Sequence, residues 1–395
     1  MDRQVVFWCE LMRDPVRLND TVVGATLPAP PYELEDCLTR AGLDGGEEML
    51  VSITRSFNFP FLEPHLEDVH DLRALNALAE KLVSLTPWQV DALEGLVLME
   101  EQKEKPFGLP RVYDLAASAG ECQVLYDVRN DRALGKFYVD NDFIKDTEGL
   151  PEAAYKLLDY ARIGQRMRLG EGGVFLQRGS SYVTQVGDLI EEFQTLDLTP
   201  KAPDYAALLE VGLPDQEQSI MLKLPCSEDE LRQIPMQLDA QAWYELSWRC
   251  ADCRVPSLCD TFTTEPNIRF ANEASKALAE LSEEELRKFK ALVSLERVED
   301  LTGAMALRDR LEEYVLTPEY RQPSDVAEDR LRTMLEQREL DMLLPHVNLK
   351  AYGQALVEAD QIRLTDYGAI DRADGPEMGA SPQNRQSAGG MQFSL

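Results

Sequence analysis

An internal repeat constrains the fold of this chain more than any other feature of its sequence. Three pairs of blocks show the repeat, at shifts of 197, 196 and 189 residues: 27–34 with 224–231, 76–97 with 272–293, and 159–165 with 348–354. Blocks that recur in the same order and nearly the same register indicate a duplication. The sequence therefore predicts two tandem copies of one folding unit of roughly 190 residues.

The repeat and the local composition together predict the domain boundaries. The first unit is expected at residues 1–199, a Pro-containing linker at 200–203 and a second, diverged unit at 204–372. The last segment, 373–395, is rich in Gly, Ser, Gln and Pro and has no hydrophobic periodicity. Such a composition predicts a disordered tail.

Each unit is predicted to belong to the α+β class, with strands and helices mixed along the chain. Alternating apolar residues predict strands, and apolar residues three and four apart, with capping residues before them, predict helices. Pairs of strands are expected at 5–8 and 207–211, at 49–54 and 243–248, and near residues 27 and 224. Helices are expected after Pro30 and Ser227, across 75–85, from Thr86 onward and near 153–160, with a further strand at 173–176.

The charge of the chain excludes several classes of function. It holds 71 acidic and 40 basic residues, a net charge of −31, and both halves share it: −16 over residues 1–200 (35 acids, 19 bases) and −15 over the remainder (36 and 21). Such a surface repels phosphate backbones and anionic lipids, so direct binding to nucleic acid or membrane is not expected. A long apolar run and a signal peptide are not apparent, and the seven scattered cysteines suit a reducing compartment, so a cytoplasmic location is predicted.

The sequence does not assemble a recognisable catalytic or metal site. His65 and His70 lack the four-residue spacing of a helical zinc motif, and local hydrogen bonds are their expected role. Cys250, Cys253 and Cys259 supply three thiols without an evident fourth ligand, so buried thiols are favoured over a zinc site. The Gly-rich turn 170–173 contains an acid that would repel phosphate. We therefore expect a protein that is not an enzyme and uses no cofactor or metal; an enzyme built on the cysteine cluster is one alternative.

Two segments of the first half resemble a known family. The helical block DLRALNALAEKLVSLTPWQVDALEGLV (71–97) and the later LPEAAYKLLDYARIGQRMRLGEGGVF (150–175) are similar to ArdA-type antirestriction proteins. The positions that match the family's antirestriction motif, also implied to form interface surface, are Leu158, Asp159, Tyr160, Gly164, Arg166, Val174 and Phe175. The second half matches more faintly, at Asn348, Leu349, Tyr352, Gly353 and Leu356.

The resemblance implies a DNA mimic carried by a mobile genetic element or phage. It implies that the partner is the type I restriction-modification complex of a bacterial host, whose DNA-binding groove the mimic occupies. Family members are elongated and built of small domains, so the resemblance implies an elongated unit with small mixed α/β subdomains and a helical subdomain. Family members also dimerise as single-copy chains, whereas this chain is duplicated, so it is expected to form either a homodimer or an intramolecular pseudo-dimer. A mimic presents surface carboxylates in place of phosphates, and the acid-rich stretches supply these candidates: Glu33, Glu35, Asp36, Asp44, Glu47, Glu48, Glu63, Glu67, Asp68, Asp71, Glu100, Glu101, Glu104, Glu228, Asp229, Glu230, Glu283, Glu284 and Glu285.

Two further alternatives remain open at the level of sequence. A mimic could inhibit another nucleic-acid-binding defence protein, such as a CRISPR nuclease, because any positively charged groove attracts the same surface. The chain could also be a non-catalytic acidic adaptor that binds basic proteins without excluding DNA. Competition with a DNA duplex separates a mimic from an adaptor, since only the mimic shares its binding site with DNA.

Overall fold

A computed structural model describes residues 4–12, 22–43, 49–103, 105–145, 151–176, 178–214, 216, 218–296 and 298–373. Within these residues the strands are β1 (Phe7–Met12), β2 (Val23–Leu27), β3 (Leu50–Ser56), β4 (Cys122–Leu125), β5 (Val174–Phe175), β6 (Tyr182–Gln185), β7 (Ala207–Gly212), β8 (Ser219–Leu224), β9 (Ser247–Cys253), β10 (Tyr314–Thr317), β11 (Arg363–Thr365) and β12 (Gly368–Arg372).

The helices of the first half are α1 (Pro31–Ala41), α2 (Leu72–Val83), α3 (Pro87–Glu101), α4 (Leu109–Ala117), α5 (Asp131–Asp140), α6 (Glu152–Tyr155) and α7 (Tyr160–Glu171). Those of the second half are α8 (Glu228–Gln237), α9 (Cys259–Thr264), α10 (Ile268–Ala279), α11 (Glu283–Leu295), α12 (Leu301–Arg308), α13 (Pro323–Met334), α14 (Gln337–Leu343) and α15 (Leu349–Asp360). Small sheets with many helices confirm the predicted α+β class. The predicted tail 373–395 lies outside the described residues except for Ala373.

The chain divides into two compact units that do not coincide with the two halves of the sequence. Unit 1 comprises Met1–Leu11, Gly24–Ala29 and Met49–Pro200. Unit 2 comprises Met12–Val23, Pro30–Glu48 and Lys201–Leu395. Helix α1 therefore belongs to unit 2, although it lies in the first half of the sequence.

Each half carries two three-stranded sheets with the same strand order. The first sheet has the order β2-β1-β3 in the first half and β8-β7-β9 in the second. The second sheet has the order β4-β6-β5 in the first half and β10-β12-β11 in the second. Along the chain, α2, α3 and α4 lie between the two sheets of the first half, and α9 to α12 lie between the two sheets of the second half.

The same buried asparagine holds the turn after the second strand in both halves. In unit 1, the Asn76 side chain accepts a hydrogen bond from Ala29 N at 2.6 Å and donates one to Ala29 O at 3.2 Å. In unit 2, Asn272 makes the corresponding bonds with Cys226 N at 2.8 Å and Cys226 O at 3.0 Å. An amide can satisfy both backbone groups at once, which explains why asparagine stands at both positions.

A glycine allows one pair of helices to pack closely in each half. In the first half α7 lies against α5, and a Cβ added to Gly164 would stand 1.8 Å from Asp131 O. In the second half α15 lies against α13, and a Cβ on Gly353 would stand 1.7 Å from Pro323 O. Only glycine lets the two backbones approach this closely. The repeat therefore extends to details of helix packing.

The local signals in the sequence located the strands of the first sheet in each half and the helices α1, α2, α3 and α8, but they gave no prediction for many later elements, such as β4, β6, α4 and α5. Thr86 caps α3 in a capping box as predicted, and Ser282 does the same for α11 at the equivalent position. Two predicted elements need correction. The predicted strand 243–248 is wrong at its start, because residues 243–245 form a 3₁₀ helix and β9 begins at Ser247. The predicted helix near 153–160 is two helices, since Asp159 ends the intervening turn and caps α7 with its side chain.

We predict opposite effects for two glycine-to-alanine substitutions in α7. Gly164→Ala should lower the free energy of unfolding by about 2 kcal/mol or more, because the new methyl group collides with the backbone of α5. Gly170→Ala is the matched control: a Cβ there meets nothing within 4 Å, so the higher helix propensity of alanine should stabilise the protein by roughly 0.5–1 kcal/mol. Chemical denaturation measures both, and equal effects would contradict the packing assigned to Gly164.

Candidate interaction surface

Exposed acids surround the 3₁₀ helix at Pro60–His65 in unit 1. Glu63 and Glu67 line the same surface depression, and both side chains are exposed. Glu101, at the end of α3, is exposed and lies 3.0 Å from His65 Nε2 on this 3₁₀ helix. Asp68 lies two residues before His70 in the sequence, and its carboxylate accepts a hydrogen bond from His70 Nε2 at 2.7 Å. We call Glu63, Glu67, Asp68 and Glu101 the first acidic patch.

In unit 2, the exposed acids gather at the beginnings of α8 and α11. Residues 228–230 and 283–285 form the first turns of these helices, and all six are exposed. The third acid of each run also has a local role, since Glu230 and Glu285 close capping boxes with Ser227 and Ser282. Negative charge in a first helical turn interacts favourably with the helix dipole. Part of the acidity therefore stabilises the fold directly.

Asp71 has a similar local role in unit 1. Its carboxylate accepts hydrogen bonds from Arg73 N at 2.8 Å and Ala74 N at 3.2 Å, at the start of α2. Several exposed candidates are also paired with bases: Glu283 with Arg254 at 2.8 Å, Asp229 with Arg232 at 3.0 Å and Glu228 with Arg269 at 3.4 Å. A carboxylate with a cationic partner contributes less negative potential than an unpaired one.

Two candidates do not belong to an acidic surface. Asp36 is only 5% exposed: its carboxylate lies 2.7 Å from Lys290 Nζ and accepts hydrogen bonds from Tyr367 OH at 3.0 and 3.1 Å, all within unit 2. The prediction that Asp36 faces solvent is therefore wrong. Glu100 is half-buried between Lys103 at 2.8 Å and Arg111 at 3.0 Å, and these bases hold its pKa below the usual value despite the opposing effect of burial.

The six remaining candidates are either half-buried or outside the described residues. Glu33 and Glu35 are half-buried on α1. Asp44, Glu47, Glu48 and Glu104 lie outside the described residues.

The residues matched to the antirestriction motif build one small region of unit 1. Asp159 caps α7, Gly164 contacts α5, and Val174 pairs with Val183 in the second sheet. Tyr160 donates to Tyr155 O at 3.2 Å, and Phe175 packs against Tyr182. Leu158 is half-buried, and Arg166 is exposed. Most of this set therefore supports packing, and Asp159 and Arg166 are the exposed members.

Three thiols and one carboxylate cluster beneath α1 in unit 2. The Sγ atoms of Cys250 and Cys259 lie 3.4 Å apart, and Cys253 is fully buried beside them. Asp252, between two of these cysteines, accepts hydrogen bonds from Tyr205 OH at 2.8 Å and Tyr32 N at 3.2 Å. Burial raises the pKa of the Asp252 carboxyl to about 6, although these hydrogen bonds oppose the shift. The sequence does not single out Asp252, because its one local signal is its position between two cysteines of β9.

In the part of the chain that the structure describes, no group of three or more His, Cys, Asp or Glu residues has an arrangement that could hold a metal ion. Among the same residues, no helix is long and apolar enough to cross a bilayer. A scan against protein-family models and a search of curated proteins found no match to this sequence.

The buried carboxyl of Asp252 leads to a prediction about pH. Its raised pKa means that the fold disfavours the ionised form, so its contribution to stability is complete below about pH 4 and is lost as the pH rises through about 6. A shift from about 3.9 to about 6 corresponds to up to roughly 3 kcal/mol. The difference in unfolding free energy between wild type and Asp252→Asn should therefore change by up to this amount between about pH 4 and pH 7.

Denaturation curves across this pH range measure the difference. Asp140→Asn, which changes an exposed carboxylate at the end of α5, is the matched control and should follow the wild type. If Asp252→Asn kept the pH profile of the wild type, the burial of Asp252 would not govern its ionisation.

Proposed function

We propose that this chain is a non-catalytic DNA mimic that acts as an antirestriction protein. Its target is the type I restriction-modification complex of a bacterial host cell, and it occupies the groove in which that complex binds DNA. The observation that carries the proposal is the acid surplus of −16 and −15 in two copies of one fold. A surplus of this size destabilises a compact state by self-repulsion, so a binding role gives a reason for retaining it.

The amount of charge suits imitation of a DNA segment. B-form DNA carries one negative charge per roughly 1.7 Å of its axis, so 31 net charges correspond to about 50 Å of duplex. The acids that remain exposed, and that neither pair with Lys or Arg nor cap helices, are the ones that can stand in for phosphates. In unit 1 the best group is the first acidic patch, because its four members lie on or near one 3₁₀ helix.

The duplication supports a single-chain version of a two-fold mimic. Both halves carry the same sheets in the same order, so one chain holds two copies of any surface that the fold itself creates. The acids differ between the copies, however: the acidic first turn of α11 aligns with Pro87, Trp88 and Gln89 in α3. We therefore propose that the copies contribute different parts of one mimicked duplex.

Neutralising the first acidic patch should weaken binding to the target. We expect the combined change of Glu63, Glu67 and Glu101 to Gln and Asp68 to Asn to reduce affinity for a purified type I enzyme about tenfold, because four charges leave one surface. The dependence of binding on salt should also become shallower, since fewer charges take part. Fluorescence binding assays with labelled duplex as competitor measure both quantities.

A scattered set of the same net charge is the control. Changing Asp140, Glu273, Glu299 and Glu312, which are exposed but lie on different elements, to the corresponding amides should reduce affinity much less. Equal losses from both sets would contradict a localised mimic surface. If an excess of duplex failed to displace the protein from its target, the mimic proposal would fail and an adaptor would take its place.

A further inference from the structure

Helices α1 and α8 are equivalent in the repeat but differ in burial. A shift of 197 residues aligns Pro30, which precedes α1, with Ser227, which precedes α8, and it aligns Asp36 with Gln233. In α1 only Pro31 is exposed, whereas in α8 only Leu231, Ile234 and Pro235 are buried. The outer face of α8 also carries Met236, which is 75% exposed. The same helix is therefore covered in one copy and uncovered in the other.

The contacts that cover α1 define a docking site on unit 2. Lys290 of α11 pairs with Asp36 in the middle of the helix, at 2.7 Å. Asp252 of β9 accepts from Tyr32 N in its first turn. At its C-terminal end, Arg321 donates to Thr39 O at 2.6 Å. The 3₁₀ helix Pro256–Leu258 completes the site.

Unit 1 contains every element of this docking site. Its counterparts are the 3₁₀ helix Pro60–His65, helix α3, the turn between β5 and β6, strand β3 and the residue before the N-cap of α5. The turn between β5 and β6 corresponds to the turn between β11 and β12, where Tyr367 OH contacts Asp36. Between the first three of these elements lies an open groove of about 260 Å³. Its lining includes three apolar side chains and three charged ones: Phe61, Val97, Leu98, Glu94, Glu101 and Arg178. The site that holds a helix on unit 2 is therefore a groove on unit 1.

Three charged residues of unit 1 would face α8, and the charge of two of them complements it. Arg129 precedes the N-cap of α5 as Arg321 precedes that of α13, and it is exposed, so it can donate to the last carbonyls of α8. Arg55 stands where Asp252 stands, and it would face Asp229, the counterpart of Tyr32. The third residue is Glu94, the counterpart of Lys290, which would face Gln233.

We propose that the groove of unit 1 binds helix α8 of a second copy of this chain, in the manner in which α1 is bound on unit 2. The contact joins two different surfaces, so each chain keeps an unused groove and an unused helix after pairing. Such heterologous contacts add further copies without closing, unless the rotation happens to form a ring. The proposal does not depend on the DNA-mimic function, because it is tested on the purified chain without any target.

A charge series at one contact tests the proposal. Wild-type protein should associate reversibly in sedimentation velocity, with the mean mass rising as concentration rises. Gln233→Glu would place two carboxylates opposite each other and should weaken association about tenfold, whereas Gln233→Lys would face Glu94 and should tighten it by a similar factor. The pair Glu94→Lys with Gln233→Asp rebuilds the Lys290–Asp36 contact and should restore or exceed wild-type association.

Gln165→Glu on α7 is the matched control, since it adds the same charge at an exposed helical position. It should leave association unchanged, and thermal denaturation of each variant verifies that the fold is retained. A wild-type chain that stays monomeric at all concentrations would overturn the proposal, as would association that ignores the charge at residue 233. If removal of residues 374–395 were needed before chains associated, the groove would belong to that segment instead of a second copy.

Discussion

Mutual repulsion among carboxylates is the constraint on which this structure depends. A net charge of −31 opposes compaction, so the fold must hold many acids in places where their charge is useful or compensated. Capping boxes at Ser227 and Ser282 place acids at positive helix ends, and Glu100 sits between two bases. Asp36 is buried against Lys290. The exposed acids that neither cap a helix nor pair with a base form the acidic surface that is available to a binding partner.

The duplication provides an internal comparison that a single copy would not. Features that recur, such as the clamp made by Asn76 and Asn272, belong to the fold, because both copies need them to close the same turn. Features that differ reflect what each copy contacts. Lys290 and Glu94 occupy equivalent positions with opposite charge, and the lysine is the one that contacts a buried carboxylate. Charge reversal at equivalent positions therefore marks surfaces with different partners.

Acidity at helix ends illustrates how local and collective roles overlap. Glu230 and Glu285 satisfy backbone groups of their own helices, while their neighbours in the same turns face solvent. A densely acidic surface can thus be built partly from residues that also stabilise helices, which reduces the destabilisation that mutual repulsion would otherwise cause.

The sequence by itself determined the repeat, the α+β class and the elements with clear local signals, such as α2 and α3, because caps and apolar periodicity act over a few residues. It also located the acid-rich stretches. Tertiary structure alone decided which of these acids face solvent: Asp36 is buried by a lysine 254 residues away, and no local pattern reports such a pairing. The same holds for the assignment of α1 to unit 2 and for the raised pKa of Asp252, since burial depends on elements that are distant in sequence.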